Sequence, residues 1–230
     1  LANKNHEVHF ITYNQPVRLD FISSGLHFHQ VLIKEYPLFE YQPYELALSS
    51  KMVEIVSKFK LDILHVHYAI PHAYAAYMAK QMLKEQGIDI KVVTTLHGTD
   101  ITLVGSHPSY KKSVEFSINN SDAVTTVSNS LKNQTLELFD IKKEIEVIYN
   151  FIELDKYPDI LHNECQRSSI ALDNERILTH ISNFRPVKRI SDVIEIFYNV
   201  HKEIPSKLLL VGDGPDLEMA RKRAKELGIY

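Results

Sequence analysis

The hydrophobic pattern switches repeatedly between a period of two and a helical period. His6 to Tyr13 carries Val8, Phe10 and Ile11 and reads as a strand, and Leu26 to Ile33 reads as a second. Pro43 to Phe59 places Leu46, Met52, Val53, Ile55 and Val56 at helical spacing, with Pro43 near the start where its missing N–H costs nothing. Leu61 to His67 is again strand-like, Pro71 begins a helix that Gly87 ends, and Lys91 to His97 is rich in β-branched residues. Tyr110 to Asn120 reads as helix and Asp122 to Val127 as strand. Ser128 or Ser130 caps a helix running to Phe139, and Glu144 to Ile148 is a short strand.

Strands alternating with longer helices predict an α/β fold, a parallel sheet with helices on both faces. Periodicity lapses between Asn150 and Asn174 and resumes at Arg176. We therefore expect two doubly wound domains in series: the first over residues 1–160, a linker over 161–175, and the start of a second over 176–230. The ends read as internal to a longer chain. Leu1 is not Met, and Leu227-Gly228-Ile229-Tyr230 closes a helix where a strand is due. The expectation is a fragment whose second domain is incomplete.

Composition narrows the function classes. A net charge of -3 supplies no basic field for general nucleic-acid binding. No apolar run approaches the roughly 20 residues that span a bilayer. The single Cys165 rules out an internal disulfide and a four-cysteine zinc site, and fits a reducing compartment. A soluble cytoplasmic protein is the default, and a homo-oligomer is left open.

In open parallel sheets, ligands bind beyond the carboxyl ends of the strands. Those ends hold His67-Tyr68, His97-Gly98-Thr99-Asp100, Ser128-Asn129, Asn150, Asn183 to Lys188, and Gly212-Asp213-Gly214-Pro215. The loop after Ile181 has three cations, Arg185, Lys188 and Arg189, ahead of a helix start. That combination suits a phosphate, because a guanidinium grips two oxygens and helix amides point the same way. It would form one wall of a binding cleft between the domains and could neutralise a diphosphate leaving group. The bland alternative is a solvated basic turn. At His97 to Asp100 a histidine, a glycine and a carboxylate coincide, against the simpler reading of a turn with a capping aspartate. His65 and His67 share a strand face. With His97, or with His72 or Asp100, they would suit a zinc-dependent hydrolase, unless one packs inside and the other lines a cleft. Gly212 and Gly214 lie in a strand-to-helix turn, a weak nucleotide signal that a plain turn explains equally well. P-loop, dinucleotide and nucleophile-elbow motifs are lacking from this sequence.

Taken together, these residues resemble the retaining, nucleotide-sugar-dependent glycosyltransferases of family 4. Four segments carry a closer resemblance to the N-acetylglucosaminyl L-malate synthases of bacillithiol synthesis within it. They are Tyr13 to Leu19, Leu64 to Ala73, Thr95 to Thr102 and His180 to Arg189. The resemblance implies two facing Rossmann-like domains (GT-B type) and transfer of N-acetylglucosamine from UDP-N-acetylglucosamine to L-malate, with neither an enzyme nucleophile nor an essential metal or cofactor. It implies that Lys188 binds the diphosphate, that His97 approaches the donor sugar, and that Tyr68 and Thr99 face the acceptor. Gly212 and Gly214 would shape the wall near the nucleotide. Asn150, Asn183 and Arg185 join the donor-binding set, with His97, Arg185 and Lys188 catalytic.

The sequence departs from the family pattern in three places. Asn183 stands where many members have Arg, so Arg185 would supply that charge. A glycine-rich loop is expected before Leu1, and a carboxylate pair beyond Tyr230. Glu218 and Glu226 match the spacing of that pair but sit on a helix roughly 80° apart around its axis, which is a solvated face. A non-catalytic sugar-nucleotide-binding fragment is the other alternative. The malate carboxylates need cationic partners, for which Arg18, Lys111 and Lys112 are candidates.

Overall fold

The computed structural model describes residues 1–16, 19, 24–33, 41–152 and 166–230. Arg18, Cys165 and residues 161–165 of the expected linker lie outside the described residues. The chain divides into two units, Leu1–Ile152 and Glu153–Tyr230.

Unit 1 contains six described strands, all paired in parallel. β1 (Val8–Thr12) pairs with β2 (Leu26–Gln30), with His9 opposite His27. β3 (Ile63–His67), β4 (Lys91–Leu96), β5 (Ala123–Thr126) and β6 (Ile145–Val147) form a second sheet in that order. The sequence suggests one sheet, yet β1–β2 and β3–β6 have separate ladders. The β1–β2 pair joins the core through side chains instead: Val31 is buried with Leu64 and Val66, and Ile11 packs against the same cluster.

Helix α1 (Tyr44–Phe59) buries Leu48, Met52, Ile55 and Val56, spaced to fall on one face, and ends where Lys60 turns left-handed at φ 54°. Helix α2 (Tyr74–Glu85) buries Ala75, Ala76, Ala79 and Leu83. The three alanines let its backbone approach α1 and the sheet closely, giving the first core cluster. Helices α3 (Pro108–Asn119) and α4 (Asn129–Leu138) cover β4–β6. Ile118, Val124, Leu131, Phe139 and Ile145 form a second cluster there. Ser128 is the N-cap of α4, its hydroxyl accepting from the Leu131 N–H at 3.1 Å. The buried threonines of β4 and β5 are satisfied: Thr94 pairs with Ser121 and Thr95 with Thr125, both at 2.7 Å, and Thr126 donates to the Ser128 carbonyl at 3.0 Å.

Unit 2 is a β-α-β-α series: β7 (Arg176–Ile181), α5 (Ile190–Glu203), β8 (Ser206–Val211) and α6 (Leu217–Glu226). β7 and β8 are parallel along their whole length. Phe184, Ile190, Ile194 and Ala220 form its buried core, with Leu208, Leu210, Leu217 and Leu227 against them. Glu218 and Glu226 pair with Arg221 and Arg223 on the surface of α6, in keeping with a solvated face. Among the described residues no helix is long and apolar enough to cross a membrane.

Candidate functional site

Parallel pairing puts the ends of β3 and β4 side by side, because His67 lies opposite Thr95 in the ladder. The residues that follow, Tyr68 and His97 to Asp100, therefore emerge together at the carboxyl edge of the sheet. Asp100 holds them there. Its carboxylate is buried at 3% exposure, Oδ2 accepting from the Ala69 N–H at 2.9 Å. Oδ1 accepts from the N–H groups of Gly98 and His97 at 3.0 and 3.2 Å. One side chain thus ties the two strand ends together, a larger part than the capping role the sequence suggests. The His-Gly-x-Asp spacing was the available signal.

Two backbone positions at this edge are unusual. Gly98 has φ 117°, which only glycine adopts freely, although a Cβ there would meet nothing within 4 Å. Tyr68 has φ 78° and ψ 136° and is not a glycine. A bulky residue held there stores roughly 1–3 kcal/mol, and such positions cluster at functional sites. Tyr68 is partly exposed, its ring centroid 5.0 Å from that of His97. Thr99 is exposed beside it.

Four histidines crowd the same edge. His67 Nδ1 and His97 Nε2 are 2.8 Å apart, one donating to the other. In a neutral His97, Nδ1 then takes the opposite role, and among the described residues it has no partner. His72 Nδ1–H donates to the His67 carbonyl at 2.6 Å. His65 Nε2 pairs with the Thr95 hydroxyl at 2.8 Å. Desolvation, then the nearby His65, His97 and His72 rings, lowers the His67 pKa to about 4. Desolvation lowers His65 and His72 as well. His65 and His67 are nevertheless not fully enclosed. His65, His67 and His72 are all held below the usual histidine range.

These bonds bear on the zinc-hydrolase alternative. His65 Nε2 is turned to the Thr95 hydroxyl although its ring stacks on His67 with centroids 4.9 Å apart, and the nitrogen–nitrogen contact is between His67 and His97. Among the described residues these three do not form a donor group able to share one ion. Among the described residues the three-donor group is Glu7, His9 and His27, at β1 and β2.

Unit 2 presents the cationic loop. After β7 the chain runs through Ser182, Asn183 and Phe184 into a short 3-10 turn, Pro186–Lys188, and Arg189 at φ 51° starts α5. Phe184 is fully buried and anchors the loop. Its N–H donates to the Asp213 carbonyl at 2.8 Å, and its own carbonyl accepts from the Asp216 N–H at 3.0 Å. The loop lies directly on the turn after β8. A Cβ on Gly214 would stand 2.4 Å from the Phe184 carbonyl oxygen, and Gly212 is tighter still. The two glycines shape the site by letting two backbones touch.

Asn183, Arg185 and Lys188 are exposed. Arg189 is not a third free cation, since its guanidinium pairs with Asp192 one turn on. Among the described residues Arg185 and Lys188 have no ionic partner. Asn150 lies exposed beyond β6, in unit 1. Of the proposed carboxylate partners, Lys112 pairs with Glu115 at 3.2 Å, and Lys111 lies over the Phe139 ring. Arg18 is outside the described residues.

The sequence pattern described as Glycosyltransferase Family 4 matches residues 1–156. The N-acetyl-alpha-D-glucosaminyl L-malate synthase of Bacillus anthracis is 48% identical over 229 residues, covering 100% of this chain and 59% of its own length. The chain therefore spans about three-fifths of that relative. Among solved structures, sucrose-phosphate synthase from Thermosynechococcus elongatus aligns over 99% of this chain and 59% of its own, with a TM-score of 0.70 at 15% identity. The Anabaena protein HepE, in complex with UDP and glucose, aligns over 89% of this chain and 53% of its own, with a TM-score of 0.62 at 16% identity. These likenesses place the two parallel-sheet units in a GT-B-like, Rossmann-like fold.

Proposed function

The chain belongs to glycosyltransferase family 4, and we propose that the protein transfers N-acetylglucosamine from UDP-N-acetylglucosamine to the hydroxyl of L-malate, with retention at the anomeric carbon. The observation that carries this reading is 48% identity, along the whole chain, to a protein named for making N-acetylglucosaminyl L-malate. The geometry is consistent with it in both units.

In unit 2, Arg185 and Lys188 bind the donor diphosphate, and Asn183 adds a hydrogen-bonding side chain beside them. Cations there stabilise the charge that grows on the diphosphate as the glycosidic C–O bond breaks. The loop charge supplies this electrostatic role with no metal required. Gly212 and Gly214 keep the loop seated. Asn150, exposed beyond β6, belongs to the proposed donor-binding set.

In unit 1, the free Nδ1 of His97 addresses a donor-sugar oxygen while Nε2 is braced by His67. Tyr68 and Thr99 hold the malate. As the C–O bond to the diphosphate breaks, the malate hydroxyl oxygen bonds to the anomeric carbon on the same face. Its proton passes to the departing diphosphate, so the reaction balances without an enzyme nucleophile. Lowered pKa values at His65, His67 and His72 suit this step, since these rings add no cation beside the reacting groups.

The test is UDP release by the protein supplied with UDP-N-acetylglucosamine and L-malate. Stoichiometric release with malate supports the reading. Release only with some other acceptor sinks the malate assignment, and no turnover with any acceptor sinks the transferase.

A further inference from the structure

The second histidine cluster, on β1–β2, belongs to neither half of that site. We propose that Glu7, His9 and His27 form a zinc-binding site, with His29 positioning His9.

The placement follows from strand geometry. Glu7 and His9 are two residues apart and share one face of the strand that enters β1. The ladder sets His27 directly opposite His9, and His29 two residues further along the same face of β2. Glu7 Oε1 lies 3.1 Å from His9 Nε2 and 3.2 Å from His27 Nε2. The three donor atoms all lie within 4.8 Å of one another. Ligands about 2.0–2.1 Å from a tetrahedral zinc stand roughly 3.3 Å from each other. Two of the three donor separations already have that value, so an ion needs only small side-chain rotations.

The surroundings are those of a built site. The His9 side chain is 1% exposed, while Glu7 and His27 stay accessible at 55% and 40%. His9 Nδ1 meets His29 Nε2 at 2.8 Å, which fixes the ring so that Nε2 faces Glu7. Orientation of a ligating imidazole through its other nitrogen is the usual support of a metal site. Phe59, at the end of α1, packs on His9 with centroids 4.5 Å apart and shields one side. On the open side a groove of about 390 Å³ is lined by His6, Glu7 and His27 among others. It admits the ion and leaves its fourth position to water or His6. Two imidazoles and one carboxylate form a donor set that zinc favours. The site bridges β1 and β2, a two-stranded ladder separate from the β3–β6 sheet, and zinc there would pin it.

The experiment titrates Zn2+ alone into metal-free protein by calorimetry at pH 7.5, with metal content measured after gel filtration. One ion per chain is expected, with a rise in Tm on zinc addition that a chelator reverses. His27→Ala, which alters an accessible side chain, is expected to weaken binding at least tenfold, and Glu7→Gln to weaken it less. His29→Ala is expected to cost about tenfold through the His9 ring. His67→Ala should leave zinc stoichiometry unchanged. Affinity should fall as pH drops, because ligands must shed protons to bind. Absence of saturable binding overturns the site, as does wild-type affinity in a folded His27→Ala protein. Loss of binding in His67→Ala alone would move the ion to the other cluster and overturn it equally.

Discussion

A Cβ on Gly212 would lie 1.8 Å from the carbonyl oxygen of Ser182, far inside any non-bonded contact. The cationic loop and the turn after β8 are in backbone contact at this point, and no side chain fits between them. Residue 212 also has φ 147°, which an L side chain rarely adopts. Gly212→Ala must therefore push the loop outward, carrying Asn183 and Arg185 with it. The expected outcome is a loss of at least about 1–3 kcal/mol of stability, from backbone strain alone, and weaker UDP binding. Thermal unfolding and a UDP titration check both. An unchanged Tm would mean that the loop has room to move.

Arg185, Lys188 and Arg189 look equivalent in sequence, but the ion pair between Arg189 and Asp192 separates them. Lys188→Ala and Arg185→Ala should each weaken UDP-N-acetylglucosamine binding by about 1.5–3 kcal/mol, the range for a hydrogen bond to a charged group. That corresponds to roughly 10- to 150-fold in Kd. Arg189→Gly, which suits the local φ of 51°, removes only an exposed pair and should change affinity little. Equal effects at all three positions would show that the loop acts through general charge rather than through two specific contacts.

Much of this was legible before the structure. The alternation of Leu64 and Val66 with His65 and His67, and the helical spacing of Met52, Ile55 and Val56, indicated the element types, since each follows from burial on one face, although Leu46, read with them, is exposed and Leu48 is buried in its place. The cationic loop was legible because charge and a strand end coincide in sequence. Asp100 was underestimated: its three backbone partners, Ala69, His97 and Gly98, include one 31 residues away that no local pattern reveals. Arg189 was overestimated, because its pairing depends on a left-handed turn. The Glu7–His9–His27 cluster escaped notice because it needs the β1–β2 register, which a single sequence does not give. Gly212 and Gly214 were noticed for the right position and given too general a reason.

The Asp100 carboxylate predicts a defined cost. Asp100→Asn keeps one acceptor oxygen but places an amide N–H₂ against a backbone donor. At least one buried N–H then loses its partner, for an expected loss of about 1–3 kcal/mol. The malate KM should rise, since Tyr68 and Thr99 hang from the strand ends that Asp100 joins, while the KM for UDP-N-acetylglucosamine should change less. A stability loss with no change in malate KM would make Asp100 a purely structural residue.

Tyr68 tests whether its backbone strain serves the ring. At φ 78° a glycine is comfortable and an alanine is not. Both Tyr68→Gly and Tyr68→Ala remove the ring and its contact with His97. The glycine variant should nevertheless be more stable than the alanine variant by about 1 kcal/mol, and both should lose activity with malate. Equal Tm values for the two would show that the loop relaxes once the ring is gone, with the strain imposed by the tyrosine itself.

The histidine edge gives a pH dependence whose sign is fixed. His67 titrates near 6.5 in the unfolded chain and near 4 in the folded protein, so the unfolded state takes up its proton first as pH falls. Stability contributed by the neutral ring is intact above pH 6.5 and declines between pH 6.5 and 4. His65 and His72, lowered in the same direction, steepen that decline. Urea midpoints measured at pH 8, 7, 6 and 5 should fall on acidification, and fall less in His67→Gln, which removes a titrating ring from the crowd. The partly solvated rings keep the effect below what complete burial would give. A His67→Gln profile parallel to that of the parent protein would locate the acid sensitivity elsewhere. A flatter one would confirm that His67 is held neutral by its burial at this edge.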